Sequence, residues 1–448
     1  MLETLQTCIR TGDFGPLRHA YGAHARLEAF LPIGNLVRHG PDEIISLFAG
    51  WWPSEGTFAH WSATAHKTGA EVVFERHPVE EERPWTSRHW HDIHMVDGSI
   101  SRHLVWSDRS RHVGHLAPLP EPIAALVEDG DRTPLYEGGG ASGSRLERIV
   151  MADGARFVLK HISPQRDLLL RVSNDAGKEA TLFTSGLLER VADVIDYPVV
   201  AVAPEEDGWA ILMRDVSDSL LDEDDGRVGR RVGRRILRTA GRLHEAFRGE
   251  RTGVACTVVD RLRFLGPQVM ERESSGPDAL ARWVRGSWEV FFDLVPHDIG
   301  DAVAAIHDDP GPLADQLTKG QTTLIHGDLW APNIGLSPER IILLDWALAC
   351  EAPAEMEYAF WVLWNCGFMG ATPGELLEDV RADARDLIDE RTMLLALLGE
   401  FVSNAGAKGW AWNSVNHLDP DSRERDREEL RWWIDRAREC LDRAWSPV

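Results

Sequence analysis

Residues 324–335 read LIHGDLWAPNIG, and residues 343–346 read LLDW. A His-Gly-Asp follows one apolar run, and Asn333 follows Asp328 by five residues. A second acid, Asp345, ends the next apolar run, IILLD. Short apolar runs bounded by turn residues read as buried strands. Asp328, Asn333 and Asp345 therefore belong to loops at strand ends, on ground that the rest of the chain has to identify.

The chain has 448 residues, enough for two or three domains. The first residues, MLETLQTCIRTGD, carry charges and no long apolar stretch, which reads as a chain without a signal peptide. No uncharged apolar window reaches the length of a membrane span. Cys8, Cys256, Cys350, Cys366 and Cys440 are scattered and lack CxxC spacing. Reduced thiols and a cytoplasmic location are expected. The net charge of −24 disfavours nucleic acid and anionic membranes as partners. It would attract a small cation, or it merely keeps the protein soluble.

Charge and histidine divide the chain. Residues 1–120 carry 14 acidic and 11 basic side chains, whereas twelve of the eighteen histidines lie in residues 1–115. The Pro-rich stretch HLAPLPEP at 115–122 marks a boundary. Four segments follow: 1–115, a linker at 116–133, 134–216 and 217–448.

Upstream of the boundary, residues 1–30 and 40–52 read as helices, with Pro41 and two acids opening the second. Alternating runs with turns at Lys67-Thr68-Gly69 and Asp97-Gly98 then predict an antiparallel sheet. Downstream, PLYEGGGASGSRLERIVMADGARFVLKHI reads as strand, Gly-rich turn, strand, turn, strand. KEATLFTSGLLERV at 178–191 reads as one helix, and YPVVAVAPEEDGWAILMRDV as two strands. Long helical patterns dominate from Arg227.

A small β-rich lobe with a Gly-rich turn, then a helical lobe carrying HGDxxxxN and a later Asp, resembles the aminoglycoside phosphotransferase/choline kinase family. The resemblance spans residues 134–445 and implies a bilobal protein-kinase-like fold. WHDIHMVDGSISRHLVWSD resembles the closing strands of the SnoaL-like (nuclear-transport-factor-two-like) family, which implies a cone-shaped α+β domain in front. The expected fold class is thus α+β throughout.

Phosphoryl transfer needs an aligned hydroxyl, a group to take its proton, and neutralised phosphate charge. Asp328 is the candidate base; Asn333 and Asp345 are the candidate Mg²⁺ ligands, an oxygen set that suits this cation. ATP is the expected donor, with GTP an alternative. Gly138, Gly139, Gly140, Ser142 and Gly143 form a candidate phosphate-covering turn. Lys160, in an otherwise apolar strand, is costly to bury unless it meets an anion. Glu179 is its candidate partner or a first-turn helix-dipole residue. Met213 to Asp215 form the expected hinge that reads the adenine edge. His326 is expected to hold the loop.

Candidates for the acceptor, expected to be an aminoglycoside, amino sugar or related cation, are Glu351, Glu355, Glu357, Asn404 and Trp410. His89 and His91 share a strand face, and with His103 they could hold a metal. A small-molecule pocket or a structural, dimerising module fits the same residues. A homodimer through this domain is expected, with Trp85, Trp90 and Trp106 on the contact face. Two alternatives to an active kinase remain: an inactive binding protein, and an active N-terminal domain with a sensory kinase-like part.

Overall fold

The structure, a computed structural model, describes residues 2–11, 13–31, 34–51, 57–65, 69–77, 85–96, 99–107, 118–135, 144–173, 175, 177–221, 228–275, 279–413 and 420–445. It is a mixed α+β chain that divides into two compact units. The first holds residues 1–115 with short pieces at 134–143 and 415–418; the second holds the remainder.

The first unit contains α1 (Leu2–Thr11), β1 (Tyr21–Leu31), β2 (Gly34–His39), α2 (Gly40–Trp51), β3 (Thr57–Ala65), β4 (Gly69–His77), β5 (Trp85–Val96) and β6 (Ser99–Ser107). Its six strands form one sheet in the order β2-β1-β6-β5-β4-β3. β1 runs parallel to β6, and the other pairs are antiparallel. Residues 21–31 are a strand, where helical spacing was expected. Alternation decides the matter: Ala25, Leu27 and Ala29 are buried at a period of two. They form a core with Leu5, Cys8, Phe14, Ile44 and Phe48. Ile44 and Phe48 lie one turn apart on α2.

The second unit opens with α3 (Glu121–Ala124), β7 (Asp131–Pro134), β8 (Arg145–Val150), β9 (Arg156–Ile162), α4 (Leu168–Val172), α5 (Lys178–Thr184), β10 (Ile195–Asp196), β11 (Val199–Glu205) and β12 (Gly208–Arg214). A five-stranded sheet runs β11-β12-β9-β8-β7. Part of the expected linker is therefore built into the fold. β7 extends the sheet, and Ile123 and Val127 pack with Ile149, Leu159 and Leu212 on one face. The other face carries Ile162, Val199, Ile211 and Met213. The helix expected over 178–191 is broken. α5 stops at Thr184, and Gly186, at φ +69°, turns the chain into a 3₁₀ segment at Leu187–Val191.

Then come α6 (Arg230–Ala246), β13 (Cys256–Thr257), α7 (Val258–Arg263), α8 (Pro267–Ser274), α9 (Ala279–Leu294), α10 (His297–Asp308), α11 (Gly311–Leu317), β14 (Thr323–Ile325), β15 (Ile334–Leu336), β16 (Ile341–Leu343), β17 (Cys350–Ala352), α12 (Ala354–Trp364), α13 (Cys366–Met369), α14 (Pro373–Asp383), α15 (Glu390–Asn413) and α16 (Pro420–Arg443). Two three-stranded sheets, β10-β16-β15 and β13-β17-β14, lie among these helices. α12 is buried from Ala354 to Leu363 and sits at the centre of the helical core. α6 buries Gly233, Ile236, Leu237, Ala240 and Gly241, the helical spacing of a one-sided stripe. Among the described residues no helix is long and apolar enough to cross a membrane.

Candidate functional site

The motif that opened the sequence occupies the loop between β14 and β15 and the end of β16. Gly327 sits at φ +82°, and a Cβ there would lie 1.9 Å from the Leu348 carbonyl oxygen, so only glycine fits. His326 donates from Nε2 to the Leu344 carbonyl at 2.8 Å and accepts at Nδ1 from the Asp328 amide at 3.3 Å. Both ring nitrogens are spent on the loop, and burial lowers the pKa of the ring. This is a holding role.

Glu357, buried on α12, accepts from the amides of His326 (2.6 Å) and Gly327 (2.9 Å). Asn365, also buried, accepts from the Ala331 amide at 2.8 Å and donates to the Leu329 carbonyl at 3.0 Å. Arg261 donates to the Gly327 carbonyl at 2.7 Å and pairs with Glu400 at 2.6 and 3.0 Å. Five backbone groups of the loop are thus fixed by side chains from α7, α12 and the segment after it.

Asp328 accepts from Asn333 Nδ2 at 2.8 Å. Burial, reinforced by the charge of Asp345, pushes its carboxyl up to about 7. Asp345 stands at φ +59°, the one non-glycine residue with positive φ among those described. That conformation is costly for an ordinary side chain and clusters at functional sites. Its Oδ1 lies 2.9 Å from Lys160 Nζ, which also lies 2.9 Å from Glu179 Oε2. Burial opposes the ammonium of Lys160, but Asp345 and Glu179 outweigh it and raise its pKa. Burial likewise opposes the Asp345 carboxylate, and Lys160 holds that pKa below the usual range. Glu179 is therefore the partner of Lys160, while its neighbour Lys178 turns to the Ala347 carbonyl at 2.9 Å.

The donor set suits a hard dication. Asn333 spends its amide nitrogen on Asp328, so its Oδ1 is the atom a cation would take, beside the Asp345 carboxylate. No cluster of three or more His, Cys, Asp or Glu with metal-site geometry occurs among the described residues.

Other expected residues lie elsewhere or are otherwise engaged. Gly138, Gly139, Gly140, Ser142 and Gly143 fall outside the described residues. Met213 is paired within the sheet, with Val199 on one side and Val158 on the other. The Asp215 amide donates to the Arg156 carbonyl at 3.0 Å, and its carboxylate accepts from Ser217. Glu351 caps the Thr252–Gly253 turn, accepting from amides at 2.5 and 2.8 Å. Glu355 accepts from the Asp389 amide at 2.8 Å and lines a cavity of about 280 Å³ with His244 and Arg248. Asn404 donates to Glu400 at 2.9 Å. Trp410 lies within α15; its side chain is outside the described set.

Four acceptor candidates are thus committed to holding the fold. Each buried carboxylate or amide meets backbone or side-chain partners that offset its desolvation. What stands near the His326–Asn333 loop instead is aromatic. Trp330, two residues past Asp328, lies 6.4 Å from Trp364 and 6.2 Å from Phe368, ring centre to ring centre. Lys408 sits 5.1 Å over Trp364 and pairs with Glu429 at 2.9 Å. An Asn inside the apolar run WVLWNCGF was the available sequence signal; a buried amide there demands partners. Arg261 and Glu400, 139 residues apart, gave none.

In the first unit, His91 and His103 are buried and bonded, Nδ1 to Nε2, at 2.9 Å. Tyr21 Oη is 2.6 Å from His103 Nδ1. Both nitrogens of His103 are occupied, which removes it as the third metal ligand. The side chains of His89, Trp85, Trp90 and Trp106 lie outside the described set.

The sequence model of the phosphotransferase enzyme family matches residues 139–395, more than half of the chain. Among solved structures, the chain is similar to an aminoglycoside phosphotransferase from Alicyclobacillus acidocaldarius, at 13% identity and TM-score 0.39 over 74% of this chain and 97% of that one. A spectinomycin phosphotransferase in complex with ADP and spectinomycin matches at 12% and TM-score 0.43, over 72% and 99%. A choline kinase from Cryptosporidium parvum matches at 11% and TM-score 0.41, over 70% and 91%. No curated protein matches the chain.

Proposed function

Because the chain belongs to the phosphotransferase enzyme family, we propose that it is an ATP- and Mg²⁺-dependent kinase acting on a hydroxyl of a small, cationic acceptor such as an aminoglycoside or amino sugar. In this reading the five-stranded sheet with α5 is the nucleotide lobe of a protein-kinase-like fold, and the helical part is the catalytic lobe. The observation that carries it is the pairing of Asp328 with Asn333 at 2.8 Å, together with Asp345 joined to Lys160 and Glu179 at 2.9 Å.

Asp328 takes the proton of the acceptor hydroxyl at a carboxylate oxygen as that oxygen attacks the γ-phosphorus. A carboxyl with a pKa of about 7 holds such a proton at neutral pH and releases it afterwards. Asn333 fixes the carboxylate in orientation. Lys160, held by two carboxylates, presents its ammonium to the phosphates. Magnesium, when bound by Asn333 and Asp345, supplies neutralisation of phosphate charge. The net charge of −24 favours a cationic acceptor, and Trp330, Trp364 and Phe368 offer it an aromatic wall. The first unit is read as a SnoaL-like cone that forms a homodimer contact; its six-stranded sheet with α1 and α2 is the layout such an α+β domain needs.

The test is incubation of the protein with labelled ATP, Mg²⁺ and a panel of aminoglycosides, amino sugars, nucleosides and cholines. Transfer to one class supports the reading. Nucleotide binding without transfer to any acceptor favours an inactive binding protein. Activity confined to the isolated first unit moves the chemistry there.

A further inference from the structure

Cys256 and Cys350 stand alone among the five cysteines in facing each other across a strand pair of the described structure. β13 runs parallel to β17, with Cys256 the direct partner of Cys350. The Cys256 amide donates to the Ala349 carbonyl at 3.0 Å, which locks that register. Facing residues on neighbouring strands sit about 4.8 Å apart, inside the Cα range of about 4.4–6.8 Å that a disulfide spans. Both thiols are free; Cys350 is buried and Cys256 partly exposed. Cys8 belongs to the first unit's core, and Cys366 and Cys440 lie on α13 and α16.

The two thiols are chemically unequal. The Cys350 thiol, with Lys178 and Arg261 nearby, lowers the pKa of Cys256 against its burial. Burial raises that of Cys350. The accessible member of the pair is therefore the nucleophile and the buried member the resolving thiol.

We propose that Cys256 and Cys350 form a peroxide-oxidisable dithiol, and that its disulfide disables the catalytic loop while leaving nucleotide binding intact. The Cys256 thiolate attacks a hydroperoxide oxygen, the O–O bond breaks, and water (or an alcohol) leaves once protonated, giving a sulfenic acid. The Cys350 sulfur then attacks the Cys256 sulfur. The S–S bond forms, the S–O bond breaks, and the hydroxyl departs as water with the Cys350 proton. Two thiols are oxidised by two electrons and one peroxide is reduced.

The link to the loop is structural. On its other side Cys350 pairs with Ile325, the residue before His326-Gly327-Asp328. Leu348, just ahead of β17, abuts Gly327 so closely that no Cβ fits between them. A disulfide needs its Cβ atoms about 3.8 Å apart in a fixed dihedral geometry, so closure turns both side chains toward each other and puts the strain on β17, the bed of Gly327. Lys160 and Glu179 lie on β9 and α5, outside this sheet. A displacement of about 1 Å at a reacting group costs on the order of 10²-fold in rate.

The full chain, first reduced, is treated with hydrogen peroxide, alkylated, digested without reductant and mapped. The expected result is the loss of two of the five thiols, a linked peptide joining 256 to 350, and none in Cys256→Ser or Cys350→Ser. Five alkylated cysteines after peroxide, or Cys256 overoxidised without a link, would overturn the site. The mapping stands apart from the phosphotransferase reading, on which the activity arm rests. In that arm kcat falls about tenfold or more, the ATP dissociation constant stays within about twofold, and dithiothreitol restores the rate. A linked protein with unchanged kcat overturns the coupling to the loop.

Discussion

Replacing Glu357 with Gln keeps the volume of the side chain and removes its charge and one acceptor oxygen. That oxygen faces a backbone amide, because the two carboxylate oxygens accept from His326 at 2.6 Å and Gly327 at 2.9 Å. Burial opposes the carboxylate, yet His244 and the loop hold its pKa below the usual range, so the wild-type group is ionised at neutral pH. The substitution loses one charge-assisted bond, worth about 1.5–3 kcal/mol. It also leaves a buried amide opposite an NH₂ group, and the two costs overlap, giving about 2–4 kcal/mol in all. Because those amides belong to the loop that carries Asp328, the proposed base, the loss is local as well as global. Hydrogen exchange at the amides of His326 and Gly327 should accelerate, the denaturation midpoint should fall, and kcat should fall with little change in acceptor KM. A variant with wild-type stability and exchange but a raised acceptor KM would show that Glu357 contacts the acceptor, and would refute the anchoring role.

Asp345→Asn removes a charged ligand from the cation site, so the Mg²⁺ concentration for half-maximal rate should rise at least about tenfold; an unchanged Mg²⁺ dependence contradicts its role. With Asp328 at about 7, kcat/KM should rise with pH up to about that value and then level off, and a flat profile from pH 5.5 to 8.5 argues against this base. The same raised pKa carries a stability sign. Its contribution is fully present below the unfolded aspartate value and is lost as pH rises through about 7. Asp328→Asn should therefore gain stability relative to wild type across that window; matched unfolding curves at pH 5 and pH 8 measure it, and a gap that does not widen is the contrary result. A fragment beginning at Leu116 keeps α3 and β7 and should sediment as a monomer with unchanged acceptor KM, whereas a persistent dimer would place the self-contact in the second unit.

The candidate site was legible because the phosphoryl transfer proposed for it needs few residue types at short spacing. Asp328, Asn333 and Asp345 lie within eighteen positions of sequence, and Lys160 stood out as an ammonium directly after the apolar run FVL. Their scaffold was not legible. Arg261, Glu400 and Asn365 reach the loop from distant helices, and no local pattern announces a contact made only by tertiary packing. The partners of the acceptor candidates were hidden for a related reason: a Glu looks the same in sequence whether it awaits a ligand or accepts from a neighbouring loop's amides, as Glu351 on β17 and Glu355 and Glu357 on α12 do. In the first unit the helix expected near Tyr21 yielded to a strand, because the spacing of Leu17 and Tyr21 satisfied a helical period that Ala25, Leu27 and Ala29 did not continue.

The account turns on Asp328 as the proton acceptor in transfer from ATP. The most direct measurement is kcat for Asp328→Asn with the acceptor found in the panel, alongside ATP·Mg²⁺ affinity by calorimetry. The account predicts a loss on the order of 10²–10⁴ in kcat with nucleotide affinity unchanged. A variant that keeps more than roughly a third of the wild-type rate, far outside that range, would contradict it.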